Sequence, residues 1–76
     1  EFRRVLFRSN EDFGLTPREM EILAKLPSGD TVIEMAQQLF ISESTMKTHL
    51  QSIYRKLHAN TRVQAIAQAR KSGLLP

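Results

Sequence analysis

The sequence predicts an all-α domain, and three observations lead to this prediction. Three segments open with a threonine followed three positions later by Glu or Gln, which is the spacing of a helix capping box. Apolar residues recur at intervals of three and four, and no stretch alternates strictly as a half-buried strand would. The chain of 76 residues, 41% of them apolar, is long enough for one small hydrophobic core. We therefore expect a single domain of four helices.

The first helix is predicted to begin after Thr16, which can cap it. Pro17 fits the first turn because its missing N–H is not needed there, and Glu19 completes the capping box. The helix should end near residues 27–29. Its buried stripe consists of Ile22, Leu23 and Leu26. Residues 1–13 show no clean period, so we interpret them as a linker or a cloning-derived leader, and residues 14–76 as the domain.

A second helix is predicted to open at Thr31, where Glu34 repeats the capping-box spacing. Its expected inner face consists of Val32, Met35, Ala36 and Leu39. The link through Phe40 and Ile41 to Ser42 is short, so the second and third helices must cross at a steep angle. Two short helices joined by such a turn form a helix-turn-helix if the second is polar and basic outside.

The third helix meets that condition. It is predicted to run from about Glu43 to about Leu57, with Ser42 as its cap. Its core-facing stripe, spaced i, i+4, i+7 and i+11, consists of Met46, Leu50, Ile53 and Leu57. Its other face is expected to carry hydrogen-bonding and cationic side chains without a carboxylate, namely Ser44, Lys47, Thr48, Gln51 and Arg55.

A fourth helix is predicted to begin after Thr61, with Gln64 three residues on. One of its faces carries Val63, Ile66, Ala67 and Arg70. Gly73 is a typical residue just beyond a helix end, and Leu74 and Leu75 should fold back onto the core.

Charge is distributed unevenly along the chain, whose net charge is +3. All eight acidic residues lie between Glu1 and Glu43, and every charged residue from Ser44 onward is positive. A cationic half is typical of a polyphosphate binder, although a solubilising imbalance explains the charge alone equally well. Without cysteine the chain has no disulfide or thiol chemistry, and no apolar run is long enough to span a membrane.

The sequence offers little for catalysis. His49 and His58 have no acidic residue downstream to orient them, and Glu19 and Glu34 are explained as capping residues. There is no glycine-rich phosphate loop, metal-ligand spacing or nucleophile–base pair. We therefore expect neither an enzyme nor a metal, cofactor or small-molecule site.

The outer face of the third helix suits double-stranded DNA. Lys47 can donate to guanine O6 and N7, Gln51 can pair with adenine, and the Thr48 methyl can pack on a thymine methyl. Candidates for contact with phosphate lie at its shoulders and ends: Ser44, Thr45, His49, Tyr54, Arg55 and Lys56. Helix capping explains the first two equally well, and packing at the core edge explains Tyr54 better. For Arg62, a salt bridge to Glu19 or Glu34 competes evenly with a phosphate contact.

The chain resembles the LuxR/FixJ/NarL-type DNA-binding domain over roughly Gly14 to Leu75. The matching segments are Leu15-Thr16-Pro17-Arg18-Glu19, Ile22-Leu23, Glu34-Met35-Ala36, Ile41-Ser42, Thr45-Met46-Lys47-Thr48-His49-Leu50 and Ile53-Tyr54-Arg55-Lys56-Leu57. The resemblance implies that the third helix enters the major groove of DNA and that the fourth forms a dimer contact. It implies the output domain of a bacterial transcriptional regulator, cytoplasmic and dimeric on DNA, with RNA polymerase as a further candidate partner.

Residue by residue, the resemblance implies three kinds of contact. Base contacts fall on Lys47, Thr48 and Gln51. Backbone contacts fall on Thr45, His49 and Arg55, followed by Lys56 and Arg62. The dimer face of the fourth helix would comprise Val63, Ile66, Ala67 and Arg70.

The chain also departs from the family pattern. Val32 and Ile33 stand near positions where members usually carry Asn and a basic residue, so a phosphate contact there is in doubt. His58 stands where Gly is common, which predicts a left-handed backbone at a residue with a side chain. The turn and C-terminus most resemble the MalT-like branch of large ATP-dependent activators. Two alternatives stay open: a sigma-factor-like promoter-reading domain, and a protein-interaction module that docks through the fourth helix.

Overall fold

The computed structural model describes residues 13–76, and this part of the chain forms four α-helices and one short 3-10 helix. The α-helices are α1 (Pro17–Lys25), α2 (Val32–Gln38), α3 (Glu43–Lys56) and α4 (Arg62–Lys71). The 3-10 helix, Leu26–Ser28, continues α1 by one turn. The predicted fold class and the order of the four helices are confirmed. The predicted leader lies outside the described residues, except for Phe13.

Side-chain caps begin all four helices where the sequence predicted them. At α1 and α2, Thr16 and Thr31 each accept a hydrogen bond from the backbone N–H three residues on, and Glu19 and Glu34 accept one in return. Each cap provides a partner for a backbone donor that would otherwise have none in the first turn. At α4 the box is altered, because Gln64 Oε1 accepts from the backbone N–H of Asn60 at 2.7 Å.

The predicted stripes of the first three helices meet in one core. The side chains of this core that solvent does not reach are Ile22, Leu23, Leu26, Met35, Met46, Ile53 and Leu57. Val32, predicted to be inside, is only half-buried. Helix α4 packs on the core through Ala65 and Ala69, whose short side chains allow a close approach. Burial of these apolar groups is the main source of stability in so small a domain.

Three helices end in the same tight turn, in which one residue adopts a left-handed backbone. These residues are Phe40 after α2 (φ 59°), His58 after α3 (φ 57°) and Gly73 after α4 (φ 83°). The hydrogen bonds are those of a Schellman motif: after α3, the N–H of Ala59 donates to Tyr54 and that of His58 to Arg55. The left-handed His58 is confirmed, but Phe40 was not predicted. Its ring is 94% exposed, so it gains nothing from the core.

Candidate nucleic-acid interface

Helix α3 presents the predicted DNA-binding side chains on one exposed face. Its core stripe is buried, which fixes the rotation of the helix about its axis. All three predicted base contacts are exposed, namely Lys47, Thr48 and Gln51. Three of the predicted phosphate contacts on α3 are exposed as well: Ser44, Thr45 and Arg55. His49 is half-buried at the edge of this face. The geometry therefore brings together, on 14 consecutive residues, most of the side chains singled out from the sequence.

The hydroxyl groups at the start of α3 are already engaged within the helix. Ser42 Oγ accepts from the backbone N–H of Thr45 and donates to Thr45 Oγ1 at 2.9 Å. Thr48 Oγ1 donates to the carbonyl of Ser44 at 3.1 Å. Because the hydroxyl proton of Thr48 is used in this last bond, Thr48 can contact a ligand through its methyl group or accept a hydrogen bond through its oxygen. Ser42 is therefore the cap of α3, as predicted, and the capping role considered for Thr45 falls to Ser42, from whose hydroxyl Thr45 Oγ1 accepts a hydrogen bond.

Lys47 is not simply solvated. Its Nζ lies 3.3 Å from Oε2 of Glu43, one turn earlier on α3, and both side chains are about half exposed. The expectation that this face would carry no carboxylate is therefore wrong. Glu43 lies four residues before Lys47, and residues four apart on a helix share a face.

Lys56 was predicted to contact phosphate, but its ammonium group binds inside the domain. Nζ donates to Glu19 Oε1 at 2.7 Å and to the carbonyl of Gly14 at 2.9 Å. Glu19 is only 4% exposed and also accepts the backbone N–H of Thr16 as the capping-box carboxylate. This cluster joins the start of α1 to the end of α3, so it sets the position of α3 relative to the rest of the domain.

The pKa of Glu19 reflects two opposing causes. Burial is the largest single cause and raises the pKa, because a charged carboxylate is poorly solvated there. Hydrogen bonds from Lys56, Ser52 and the Thr16 backbone, together with the charge of Lys56, outweigh burial and lower the pKa from 4.5 to about 2. Glu19 is therefore ionised throughout the physiological range and has no proton to donate there.

Arg62 also makes internal contacts, though not those predicted. Its Nε and one terminal nitrogen donate to the carbonyl of Leu26 at 3.1 and 2.8 Å, and the other terminal nitrogen donates to the carbonyl of Asp30 at 2.6 Å. The salt bridge to Glu19 or Glu34, considered beside a phosphate contact, does not form among the described residues, because the planar guanidinium instead closes the turn between α1 and α2. Burial raises the pKa of the half-buried Tyr54, and the positive charge of Arg62 opposes this effect in part.

The remaining candidates divide into free and packed side chains. Arg55 is exposed and forms no hydrogen bond or ion pair with any residue in the range 13–76, so its guanidinium is available on the α3 face. Tyr54 packs against the core, as the alternative considered for it predicted. No cluster of potential metal-ligating residues occurs in the part of the chain that the structure describes. None of the helices there is long and apolar enough to cross a membrane.

The face of α4 opposite the core is largely apolar and uncovered. Val63 is 75% exposed, Ala67 and Arg70 are exposed, and Ile66 is half-buried. Val63, Ala67 and Arg70 thus lie on the outside of the domain, whereas Ile66 packs against the core at the edge of this face.

Comparison with known proteins identifies the family. The model of "Bacterial regulatory proteins, luxR family" matches residues 14–69. The CsgBAC operon transcriptional regulatory protein of Escherichia coli K12 is 46% identical over 63 residues, which make up 83% of this chain and 29% of that protein. The HTH-type transcriptional activator RamA of Corynebacterium glutamicum is 42% identical over 62 residues, or 82% of this chain and 22% of RamA.

A nitrate/nitrite response regulator protein homolog of Haemophilus influenzae is 42% identical over 64 residues, which cover 80% of this chain and 31% of the homolog. The chain thus spans less than a third of the length of these three relatives. The described helices and the matched residues coincide, from the α1 cap to the last turn of α4. The chain therefore belongs to the luxR family of bacterial regulatory proteins, and its four helices are the family's DNA-binding helix-turn-helix domain.

Proposed function

We propose that this domain inserts α3 into the major groove of double-stranded DNA and reads a specific sequence there. One observation carries the proposal: α3 buries its entire apolar stripe and exposes Lys47, Thr48 and Gln51 together on the opposite face. A major groove admits one α-helix, and the N-terminal residues of a recognition helix reach the base edges. Membership of a family of transcription regulators also agrees with the prediction that the chain is not an enzyme.

The proposed contacts follow from which side chains are exposed on the α3 face and which already bind oxygens of other helices or loops. Lys47 and Gln51 would donate to base edges, and Thr48 would pack its methyl group against a thymine. Phosphate oxygens would be bound by Ser44, Thr45, His49 and Arg55, which lie around this face. We assign Lys56 and Arg62 to positioning rather than to phosphate, because their nitrogen donors already bind internal oxygens.

The experiment is a selection of bound duplexes from a random DNA library, with Lys47→Ala and Arg55→Ala run beside the wild-type chain. Lys47→Ala should weaken binding to the selected site by roughly 1–3 kcal/mol and blur one base position. Arg55→Ala is the matched control, since it removes a cation from the same face. Arg55→Ala should weaken binding to all DNA sequences alike and reduce the number of counterions released on binding by about one. If Lys47→Ala loses the same amount of affinity for every DNA sequence, Lys47 contacts phosphate and not a base.

The proposal includes a homodimer on DNA formed through α4. The exposed Val63, Ala67 and Arg70 support this, because an apolar helix face in water favours a partner. Half-sites would then lie about one helical turn apart. Sedimentation equilibrium with and without a two-half-site duplex tests the dimer, with Val63→Glu as the disrupting variant. A monomer under all conditions would refute it and favour the alternative that α4 docks another protein.

The role of the whole regulator extends the proposal beyond this domain. The relatives are named as transcriptional regulators, activators and response regulators, and each is more than three times as long as the matched region. We propose that this domain delivers a longer bacterial regulator to its promoters in the cytoplasm, where RNA polymerase is the partner to test. A pull-down of purified polymerase by the DNA-bound domain, absent without the domain, would support that contact.

A further inference from the structure

The ion pair between Glu43 and Lys47 opens the DNA-facing side of α3. Lys47 Nζ lies 3.3 Å from Glu43 Oε2, and the two residues with Gln51 follow one line at i, i+4 and i+8. Part of this arrangement serves the helix itself. A glutamate in the first turn interacts favourably with the helix dipole, and an exposed i,i+4 pair adds a small stabilisation. Those effects would be the same on any surface helix.

The location of Glu43 has a consequence for DNA binding that helix stability does not explain. Among the described residues of the exposed α3 face, the cations are Lys47 and Arg55, since Lys56 is bound internally. Glu43 neutralises one of the two. A helix that only bound phosphate would lose affinity through this carboxylate, because it is repelled by the DNA backbone and reduces the number of counterions released.

A carboxylate favours binding only where DNA offers a hydrogen-bond donor. In the major groove these donors are the exocyclic amino groups, N4 of cytosine and N6 of adenine, and Glu or Asp commonly accepts from cytosine N4. The ammonium of Lys47 and the carboxylate of Glu43 lie next to each other on the exposed face of α3. The ammonium and the carboxylate can therefore meet the same base pair or two neighbouring pairs.

We propose that Glu43 is a specificity-determining residue that accepts a hydrogen bond from a cytosine amino group, while Lys47 beside it donates to a guanine. The inference rests on the proposed insertion of α3 into the major groove and adds to it a residue that the sequence analysis did not assign. Discrimination arises because an unpaired carboxylate facing thymine O4 or guanine O6 is repelled. The pair thus weakens non-specific binding and favours one base step.

The test repeats the library selection with Glu43→Ala and Glu43→Gln. Glu21→Gln is the matched control, because Glu21 is also exposed and forms a similar pair, 3.4 Å from Arg18, but on α1. Glu43→Ala should reduce the preference for cytosine at one position by about tenfold. Glu43→Gln should shift that position toward adenine, which a glutamine amide binds through N6 and N7. Glu21→Gln should leave the selected motif unchanged.

Two results would overturn the inference, and they are distinguishable. If Glu43→Ala keeps the wild-type motif and binds every sequence more tightly with a steeper salt dependence, the carboxylate acts only by repulsion and the proposed function stands. If the wild-type chain selects no motif at all, the proposed sequence-specific function fails and the inference fails with it. Circular dichroism of each variant, compared with that of Glu21→Gln, identifies any loss of folding.

Discussion

Replacement of Glu19 by Gln should destabilise the domain in a manner that depends on pH. The carboxylate titrates at about pH 2 in the folded chain instead of 4.5, so the difference is about 2.5 pKa units. At about 1.4 kcal/mol per unit, ionised Glu19 contributes about 3–4 kcal/mol to the free energy of unfolding at neutral pH. Glutamine keeps an acceptor for Lys56 and for the Thr16 backbone, so we expect a loss of about 2 kcal/mol.

The pH range of this effect follows from the direction of the shift. Because the folded pKa is lower than the unfolded pKa, the stabilisation is fully present above about pH 5. It declines as the pH falls through the range from 4.5 to about 2, and it is absent below that range. The stability difference between wild type and Glu19→Gln should therefore shrink over this range.

A small domain has a free energy of unfolding of about 0.05–0.15 kcal/mol per residue, so the loss expected for Glu19→Gln is a large fraction of the total stability of this domain.

Urea denaturation followed by far-UV circular dichroism, repeated between pH 7 and pH 2, measures the difference. Glu21→Gln controls for a general effect of removing one exposed negative charge. Lys56→Met should lower the free energy of unfolding at pH 7 by about 3–5 kcal/mol, because it leaves a buried carboxylate without its cation. This loss is larger than the one expected for Glu19→Gln. Parallel pH profiles for wild type and Glu19→Gln would refute the assignment of the low pKa to this cluster.

Two further predictions concern residues whose roles the sequence did not reveal. Phe40→Gly should raise the free energy of unfolding by about 1 kcal/mol, because glycine adopts the left-handed backbone without strain and the exposed ring contributes no packing. Phe40→Ala keeps that strain and should stay near wild type in the same urea titration; equal stabilisation by both variants would contradict the backbone explanation. Arg62→Lys should lower stability by about 1–2 kcal/mol, since one ammonium cannot reproduce the fork that joins the carbonyls of Leu26 and Asp30. Arg62→Gln, which removes the cation that lysine keeps, provides the contrary outcome: unchanged stability with a lower salt dependence of DNA binding would make Arg62 a phosphate contact.

Predictions from the sequence succeeded where the controlling interaction is local. The caps at Thr16, Thr31 and Ser42 depend on a backbone N–H only three residues away, so the residue types and spacing suffice. The buried stripe of α3 depends on the helical repeat, which also determined that Lys47 and Gln51 lie opposite the core. The family resemblance rests on the same local features and is confirmed.

The tertiary structure decided what depends on residues far apart in the chain. Lys56 and Glu19 are 37 positions apart, and Arg62 and Leu26 are 36 apart. A local sequence pattern therefore cannot distinguish a cation that binds an internal oxygen from a cation that is available to DNA. The face of α4 that packs on the core was also decided by the tertiary structure. Apolar side chains occur on two faces of α4, so their periodicity does not indicate which face is buried. Ala65 and Ala69 are buried because their small side chains permit close contact between α4 and the core, and Val63 is therefore exposed on the other side of the helix. The sequence alone thus determined the helices and the face of α3, whereas the folded chain determined which charged side chains remain free to bind DNA.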